Sequence, residues 1–176
     1  MTELADPRAA ARDVAHSFTV AGSLAGIDRL GRGHIHDTFA VSFEAEGALT
    51  RYVLQRLNDR VFPTPLDVMR NVVQVTEHLQ RKLADIGVSD PARRCLRLIP
   101  TRDGNTHIQD AAGALWRMYP FIEGATALES VESETQAYEA ARAFGEFVGQ
   151  LADLPPACLV ETIPGFHDLE ARVSSL

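Results

Sequence analysis

The sequence has few of the features that mark secreted, metal-binding or membrane proteins. It contains two cysteines, Cys95 and Cys158, whose separation matches no metal or redox motif. Reduced thiols and a cytoplasmic location are therefore expected. No apolar run is long enough to span a bilayer, and the first seven residues lack the basic and apolar regions of a secretion signal. No membrane association is predicted.

Positive charge is also scarce. The 17 lysine and arginine residues are outnumbered by 24 acidic residues, which gives a net charge of −7. Because no basic cluster offsets this charge, nucleic acid and anionic membrane surfaces are not expected as partners. A nucleotide is still compatible with the composition, since phosphate sites depend on local donors and metal ions.

Common catalytic motifs are missing as well. The sequence has no Gly-x-Ser-x-Gly, no Cys/His nucleophile spacing and no pair of carboxylates at a plausible separation. His34, His36 and Asp37 are candidate metal ligands. Two histidines without a clear third and fourth ligand are more typical of solvated side chains, so no metal site is predicted.

What the sequence does contain is a regular succession of helix and strand patterns. Its 176 residues, 45% of them hydrophobic, suit one domain or one lobe of a larger fold. Asp6-Pro7 predicts a helix start, and an apolar stripe predicts that this helix continues to near Gly22. Three antiparallel strands are expected between about Leu24 and Asn58, with a turn at residues 44–47.

Two features of these strands are candidate binding elements. Gly31 and Gly33 lie between the first two strands, where a backbone without Cβ atoms can approach an anion or can simply form a turn. Gln55 and Arg56 are polar residues in the otherwise apolar third strand and need partners. They are either solvated at the strand end or directed at a ligand.

A long helix is predicted from Leu66 to Ile86 after a proline-rich linker. Glu77, at the flank of its apolar stripe, either reaches inward to a cation or pairs on the surface with Arg81. Residues 95–100 and 106–109 are expected to form a hairpin through the Asp103-Gly104 turn. Residues 114–122 then form a fifth long strand.

The last third of the chain is predicted to be helical. Ser133 and Gln136 form a possible capping box at the start of one helix. Another helix begins near His167. The stripe expected to be buried on the first of these helices comprises Ala137, Ala141, Phe144, Val148 and Leu151.

This order of elements resembles the small lobe of a protein-kinase-like fold. More specifically, the sequence resembles the aminoglycoside phosphotransferase superfamily, and within it the N-acetylhexosamine 1-kinase group. The matching stretches are residues 33–39, 54–58 with 61–62, 71–79, 116–123 and 161–167. The expected fold is therefore α+β, with a five-stranded antiparallel sheet and one long helix. A hinge and the first helices of an incomplete helical lobe are expected to follow.

The resemblance implies an ATP-dependent transfer to a hydroxyl of a sugar or amino sugar, with Mg²⁺ as the metal. It assigns the phosphates to the glycine loop and the following strand, the lysine position of kinases to Gln55 or its neighbour Arg56, and the helix carboxylate to Glu77. It assigns adenine to the linker at Tyr119, Phe121 and Ile122. The loop residues implied are Gly31, Gly33, His34, Asp37 and Thr38.

Two departures from the family pattern are visible. Gln55 is neutral where kinases carry a lysine. After Gly124 the only His-Asp pair is His167-Asp168, Val173 stands where the catalytic-loop asparagine is expected, and no later aspartate follows. The catalytic residues and the Mg²⁺ ligands are therefore expected in a missing C-terminal lobe.

These departures define the expected organisation of the chain. Residues 1–122 are interpreted as the small lobe with an N-terminal helix, and residues 123–176 as the hinge and the start of a truncated helical lobe. The chain alone is expected to be inactive and to expose an apolar patch at Phe144 and Val148, where a neighbouring lobe would pack. The alternative is a non-catalytic nucleotide-binding or interaction domain that kept the small lobe.

Overall fold

The structure, a computed structural model, describes residues 7–31, 35–126, 128, 130–166 and 168–174. Its sheet has five antiparallel strands in the order β1-β2-β3-β5-β4. The strands are β1 (Ser23–Arg29), β2 (Asp37–Ala45), β3 (Ala48–Arg56), β4 (Ile108–Gln109) and β5 (Leu115–Pro120). The helices are α1 (Pro7–Ala15), α2 (Pro65–Asp85), α3 (Glu134–Gln150) and α4 (Leu169–Ser174), with short 3₁₀ turns at Pro91–Arg93 and Pro156–Cys158.

The first three strands form the predicted meander. Strands β2 and β3 pair along their whole length, from Asp37 opposite Arg56 to Ala45 opposite Ala48. The two residues between them, Glu46 and Gly47, both have positive φ, at 52° and 79°. Such a pair is typical of a type I′ hairpin turn, whose twist matches that of the flanking strands.

One face of the sheet packs on α1. Phe39, Leu54 and Trp116 are at most 2% exposed and belong to one apolar cluster with residues of α1. The expectation that α1 continues to Gly22 is wrong, because the helix ends at Ala15. Phe18 is nevertheless fully buried, since the chain turns after α1 and forms an isolated bridge with Thr101.

The predicted hairpin between residues 95–100 and 106–109 is also wrong. The Asp103-Gly104 turn is present, but residues 95–100 form no strand. The hairpin instead joins β4 to β5 through residues 110–114. Asp110 determines this turn: its Oδ1 accepts hydrogen bonds from the N–H groups of Ala112 and Ala114, both at 2.9 Å, and its Oδ2 accepts from Trp116 Nε1 at 2.8 Å.

Helix α2 confirms the long helix expected from its apolar stripe. It packs on the sheet through Met69, which contacts Leu57 and Leu115. Its other side meets the end of α3, where Lys82 Nζ and His78 Nε2 lie 2.6 and 3.1 Å from Asp153 Oδ1. Helix α2 therefore joins the sheet to the helical part of the chain.

The apolar stripe of α3 is mostly exposed, which confirms the exposure expected of Phe144 and Val148 in the chain alone and contradicts burial of the stripe within it. Phe144 is 72% exposed and Val148 is 65% exposed, and Ala137 and Ala141 are exposed as well. Only Leu151, just after the helix, packs on the cluster around Leu79 and Leu83. The physical reason is that no described element covers the rest of this helix face.

The helices α3 and α4 begin close to the positions that the sequence predicts. Ser133 Oγ accepts a hydrogen bond from the Gln136 N–H at 3.2 Å, while Gln136 Oε1 accepts from the N–H of Glu132, one residue before the expected partner. Helix α4 is present, although His167 lies outside the described residues. None of the helices within the described residues combines the length and apolar character needed to cross a bilayer.

Candidate functional site

The second face of the sheet carries a row of polar side chains. Thr38 on β2, Gln55 on β3 and Arg117 on β5 lie directly opposite one another in the strand registers. Because side chains alternate between the faces of a strand, these three project away from the apolar cluster that contains Phe39 and Leu54. We call Thr38, Gln55 and Arg117 the polar row.

The members of the polar row are hydrogen-bonded in sequence. Gln55 Nε2 donates to Thr38 Oγ1 at 3.0 Å, and Gln55 Oε1 accepts from Arg117 Nε at 3.0 Å and from Nη2 at 2.6 Å. Arginine has only donors, so the amide oxygen of Gln55 must face Arg117 and its NH₂ must face Thr38. The neutral amide therefore holds the guanidinium in a fixed orientation.

Arg117 is a partly buried cation without a carboxylate partner in the described part of the chain. Its remaining nitrogen, Nη1, lies 4.0 Å from Met69 Sδ of α2. Burial lowers the pKa of the Arg117 guanidinium, with the nearby Tyr119 opposing that effect. Arginine nevertheless stays charged in proteins. The row thus presents an uncompensated positive charge on this face.

The loop between β1 and β2 lies next to the polar row. The Leu30 N–H donates to Thr38 O at 2.8 Å and closes the loop, and Gly31 has a φ of 69°, a conformation that favours glycine. Gly33 and His34 lie outside the described residues. His36, at the end of the loop, accepts a hydrogen bond at Nδ1 from the Asn58 N–H and stacks on Phe62.

The charge of Arg117 reaches this loop. Burial chiefly lowers the pKa of His36, the charge of Arg117 lowers it further, and Asp37 opposes both. The neutral His36 ring, whose Nδ1 accepts the hydrogen bond from Asn58, fixes the end of the loop. An anion held at the loop would lie within the same electrostatic field.

Asp37 and Arg56 lie on the opposite face of the sheet from Gln55. Asp37 pairs with Arg29 at 2.9 Å and with Arg56 at 3.6 Å. Since a shift of one residue along a strand reverses the side-chain direction, Gln55 and not Arg56 occupies the polar row. The structure therefore separates the two residues that the sequence left as alternatives.

The structure shows neither of the two arrangements that the sequence left open for Glu77, an inward contact with a cation such as Arg56 or a surface pair with Arg81. Glu77 is exposed, and its side chain makes no hydrogen bond or ion pair with Gln55, Arg56 or Arg81 in the part of the chain that the structure describes. Gln55 and Arg56 have the other partners given above. In addition, α2 approaches the polar row at Met69, and eight residues of helix separate Glu77 from that point by about 12 Å.

The linker after β5 is held by ionic contacts that the sequence did not predict. The Phe121 N–H donates to Arg51 O at 3.2 Å, and the Arg51 guanidinium lies 4.1 Å from the centre of the Phe121 ring. Arg51 also forms a two-point ion pair with the carboxylate of Glu123. Among the described residues the N–H of Ile122 has no acceptor, so it is a free donor in this linker.

Arg117 was missed at the sequence level, although a signal for it was present. It is a charged residue inside the apolar strand segment 114–119, which is the same argument that singled out Gln55. Arg51 gave no such signal, because it lies at the polar start of its strand segment.

A family model described as the phosphotransferase enzyme family, APH, matches residues 26–173. The match covers most of the chain. The chain belongs to the phosphotransferase enzyme family. This confirms the aminoglycoside phosphotransferase superfamily and a transferase of the kinase type.

The fold of this phosphotransferase is a kinase-like α+β small lobe, with a five-stranded antiparallel sheet and the long helix α2. Family membership implies a nucleotide donor and a small-molecule acceptor. In the residues that the structure describes, three features are available to contact a nucleotide. They are the loop that contains Gly31, the charged guanidinium of Arg117 and the free N–H of Ile122 in the linker. Donors of this kind are suited to binding and orienting an anion, and the described residues among them include no activated nucleophile.

Proposed function

We propose that the chain is the ATP-binding part of a cytoplasmic small-molecule kinase. Its acceptor is a hydroxyl of a sugar or amino sugar, in line with the resemblance to N-acetylhexosamine 1-kinases. The observation that carries the proposal is the position of the Gly31 loop at the end of the polar row. The loop backbone, which can approach an anion closely, and the fixed cation of Arg117 then both act on the phosphates.

The site proposed for ATP runs from the loop to the linker. The residues that we assign to the phosphates are Gly31, Gly33, His34 and Thr38, with Asp37 and Arg56 supporting the start of β2 from the opposite face. Gln55 orients the polar row. Tyr119, Phe121 and Ile122 contact adenine, and the Ile122 N–H supplies a hydrogen bond to a ring nitrogen. Glu77 is not part of this site, because its side chain is exposed and distant from the polar row.

Phosphoryl transfer further requires Mg²⁺ and catalytic carboxylates. We place these in a helical lobe outside the 176 residues, with residues 1–122 as the small lobe and residues 123–176 as the hinge and first helices. The exposed apolar face of α3, which includes Phe144 and Val148, supports this division. Apolar surface of this kind is typical of a contact with a neighbouring unit.

The test has a binding part and a turnover part. Calorimetric titration of the purified chain with ATP is expected to show one site per chain. Assays with ATP, Mg²⁺ and N-acetylhexosamines are expected to show no turnover by the chain alone, and turnover when a polypeptide supplying the helical lobe is added. Absence of ATP binding, or turnover by the 176 residues alone, would contradict the proposal.

A non-catalytic nucleotide-binding domain is the second candidate. The neutral Gln55 favours it, because the residue at this position in active kinases is a lysine that contacts the α- and β-phosphates. The same assay separates the two functions. A non-catalytic domain would bind ATP and yet give no turnover in the mixture with the helical lobe.

A further inference from the structure

The positive charge that kinases carry on the third strand is present in this chain on the neighbouring strand. In kinases a β3 lysine contacts the phosphates and pairs with a helix glutamate. Here β3 contributes Gln55, and the charge comes from Arg117 of β5, directly opposite it. The residue of α2 that approaches this charge is Met69, not a carboxylate.

The surroundings of Arg117 suit an anion better than a purely structural role. A partly buried cation is normally paired, because an unpaired charge loses hydration without compensation. Gln55 satisfies Nε and Nη2, but the N–H groups of Nη1 face only a sulfur atom within the described residues. The row therefore retains donors and charge for a further acceptor.

The position of the row indicates where that acceptor would lie. Thr38, at the other end of the row, is the residue that closes the Gly31 loop through its backbone oxygen. A phosphate chain under the loop would thus lie beside the same sheet face as the guanidinium. The fork of donors of an arginine matches phosphate oxygens geometrically.

We propose that Arg117 binds the phosphates of the nucleotide in place of the third-strand lysine, and that Gln55 is the residue that positions it. This inference rests on the proposed nucleotide function. Gln55 is neutral in this account for a physical reason: an acidic residue at position 55 would neutralise the guanidinium, and a lysine there would repel it. The amide orients Arg117 and leaves its charge available.

The first experiment compares nucleotides on Arg117→Met and the wild-type chain. Affinities for ATP, ADP and adenosine are measured by calorimetry or by NMR titration, with circular dichroism to confirm folding. Loss of a charge-assisted hydrogen bond to phosphate is expected to weaken ATP binding about tenfold to a hundredfold. Adenosine affinity should stay within about twofold. Arg102→Met is the matched control, because Arg102 is an exposed arginine in the turn at residues 101–105.

The second experiment varies Gln55 and keeps the proposal testable if Arg117→Met does not fold. Gln55→Glu gives Arg117 a counter-ion, so we expect an unchanged or higher Tm together with weaker ATP binding. A cation with only a structural role would give the higher Tm without any change in ATP affinity. In the Arg117→Met background, Gln55→Lys is expected to restore part of the ATP affinity, because it returns a positive charge to the row.

The outcomes separate the two proposals. A wild-type chain that binds neither ATP nor tripolyphosphate contradicts the nucleotide function and with it the role of Arg117. A wild-type chain that binds ATP, with Arg117→Met and Gln55→Glu binding equally tightly, overturns the role of Arg117 and leaves the nucleotide function in place.

Discussion

Asn71 and Val160 are joined by two hydrogen bonds across 89 residues of sequence. Asn71 Nδ2 donates to Val160 O at 2.7 Å, and the Val160 N–H donates to Asn71 Oδ1 at 2.9 Å. The amide side chain of Asn71, on α2, thereby pairs with both the N–H and the C=O of Val160, as a neighbouring strand would. This pair ties the C-terminal segment to the helix that packs on the sheet.

Asn71→Ala is expected to destabilise the chain by about 2 kcal/mol, because it leaves a partly buried backbone N–H and C=O without partners. Hydrogen exchange should accelerate around Val160 more than in the sheet. Gln74→Ala, another partly buried α2 position, is the control and should have little effect. Equal stabilities of the two variants in urea unfolding would show that the Asn71 pair contributes nothing.

Asp110 and Asp103 both lie in turns, so replacing each by alanine compares how much the two side chains stabilise the chain. Asp110→Ala removes three hydrogen bonds and leaves the indole N–H of the buried Trp116 unpaired, so a loss of about 3 kcal/mol is expected. Asp103→Ala, in the exposed turn that the sequence favoured, should change stability by less than about 0.5 kcal/mol. Thermal unfolding of both variants measures the difference. The reverse order of destabilisation would contradict the role of Asp110.

The Gly31 loop can be tested by substitution at a matched turn. Gly31→Val together with Gly33→Val is expected to weaken ATP binding at least tenfold, because side chains would hold the backbone away from the phosphates. Gly47→Val is the control: Gly47 also has positive φ, at 79°, and no atom lies within 4 Å of an added Cβ. It should cost stability, about 1–2 kcal/mol, without changing ATP affinity. Unchanged affinity in the loop variant would exclude a phosphate role for the loop.

His36 should make stability depend on pH. Burial and the charge of Arg117 lower the pKa of His36 in the folded chain, whereas an unfolded histidine titrates at about pH 6.5. Between these two pKa values the unfolded state binds more protons, so the free energy of unfolding falls as the pH drops below about 6.5. The contribution is complete well above that pH.

The measurement is urea unfolding of wild-type and His36→Gln chains from about pH 7.5 to about pH 5.5. Glutamine keeps an acceptor for the Asn58 N–H, so the variant should fold and show a shallower decline. His107, whose pKa is also lowered by burial, still contributes part of the pH dependence of stability in this variant. His16→Gln, at an exposed position, is the control for the replacement of one histidine by glutamine. A variant as pH-dependent as wild type would contradict the lowered pKa of His36.

The sequence by itself determined the elements whose signals are local. The apolar stripe of α2 was sufficient to predict that helix, although its first residue, Pro65, was assigned to the preceding linker. The alternation in residues 37–56 predicted strands β2 and β3, and the order of elements predicted the kinase-like small lobe. Such patterns depend on neighbours within a few residues, so they survive without knowledge of the tertiary structure.

Only the tertiary structure decided the partners and the burial. The sequence identified Gln55 as a polar residue in need of a partner, but the partner, Arg117, lies 62 residues away on a strand whose register fixes the contact. The stripe of α3 has the period of a buried helix face, yet Phe144 is exposed because no described element packs there. Periodicity shows which residues share a face, whereas packing against distant segments decides what that face contacts.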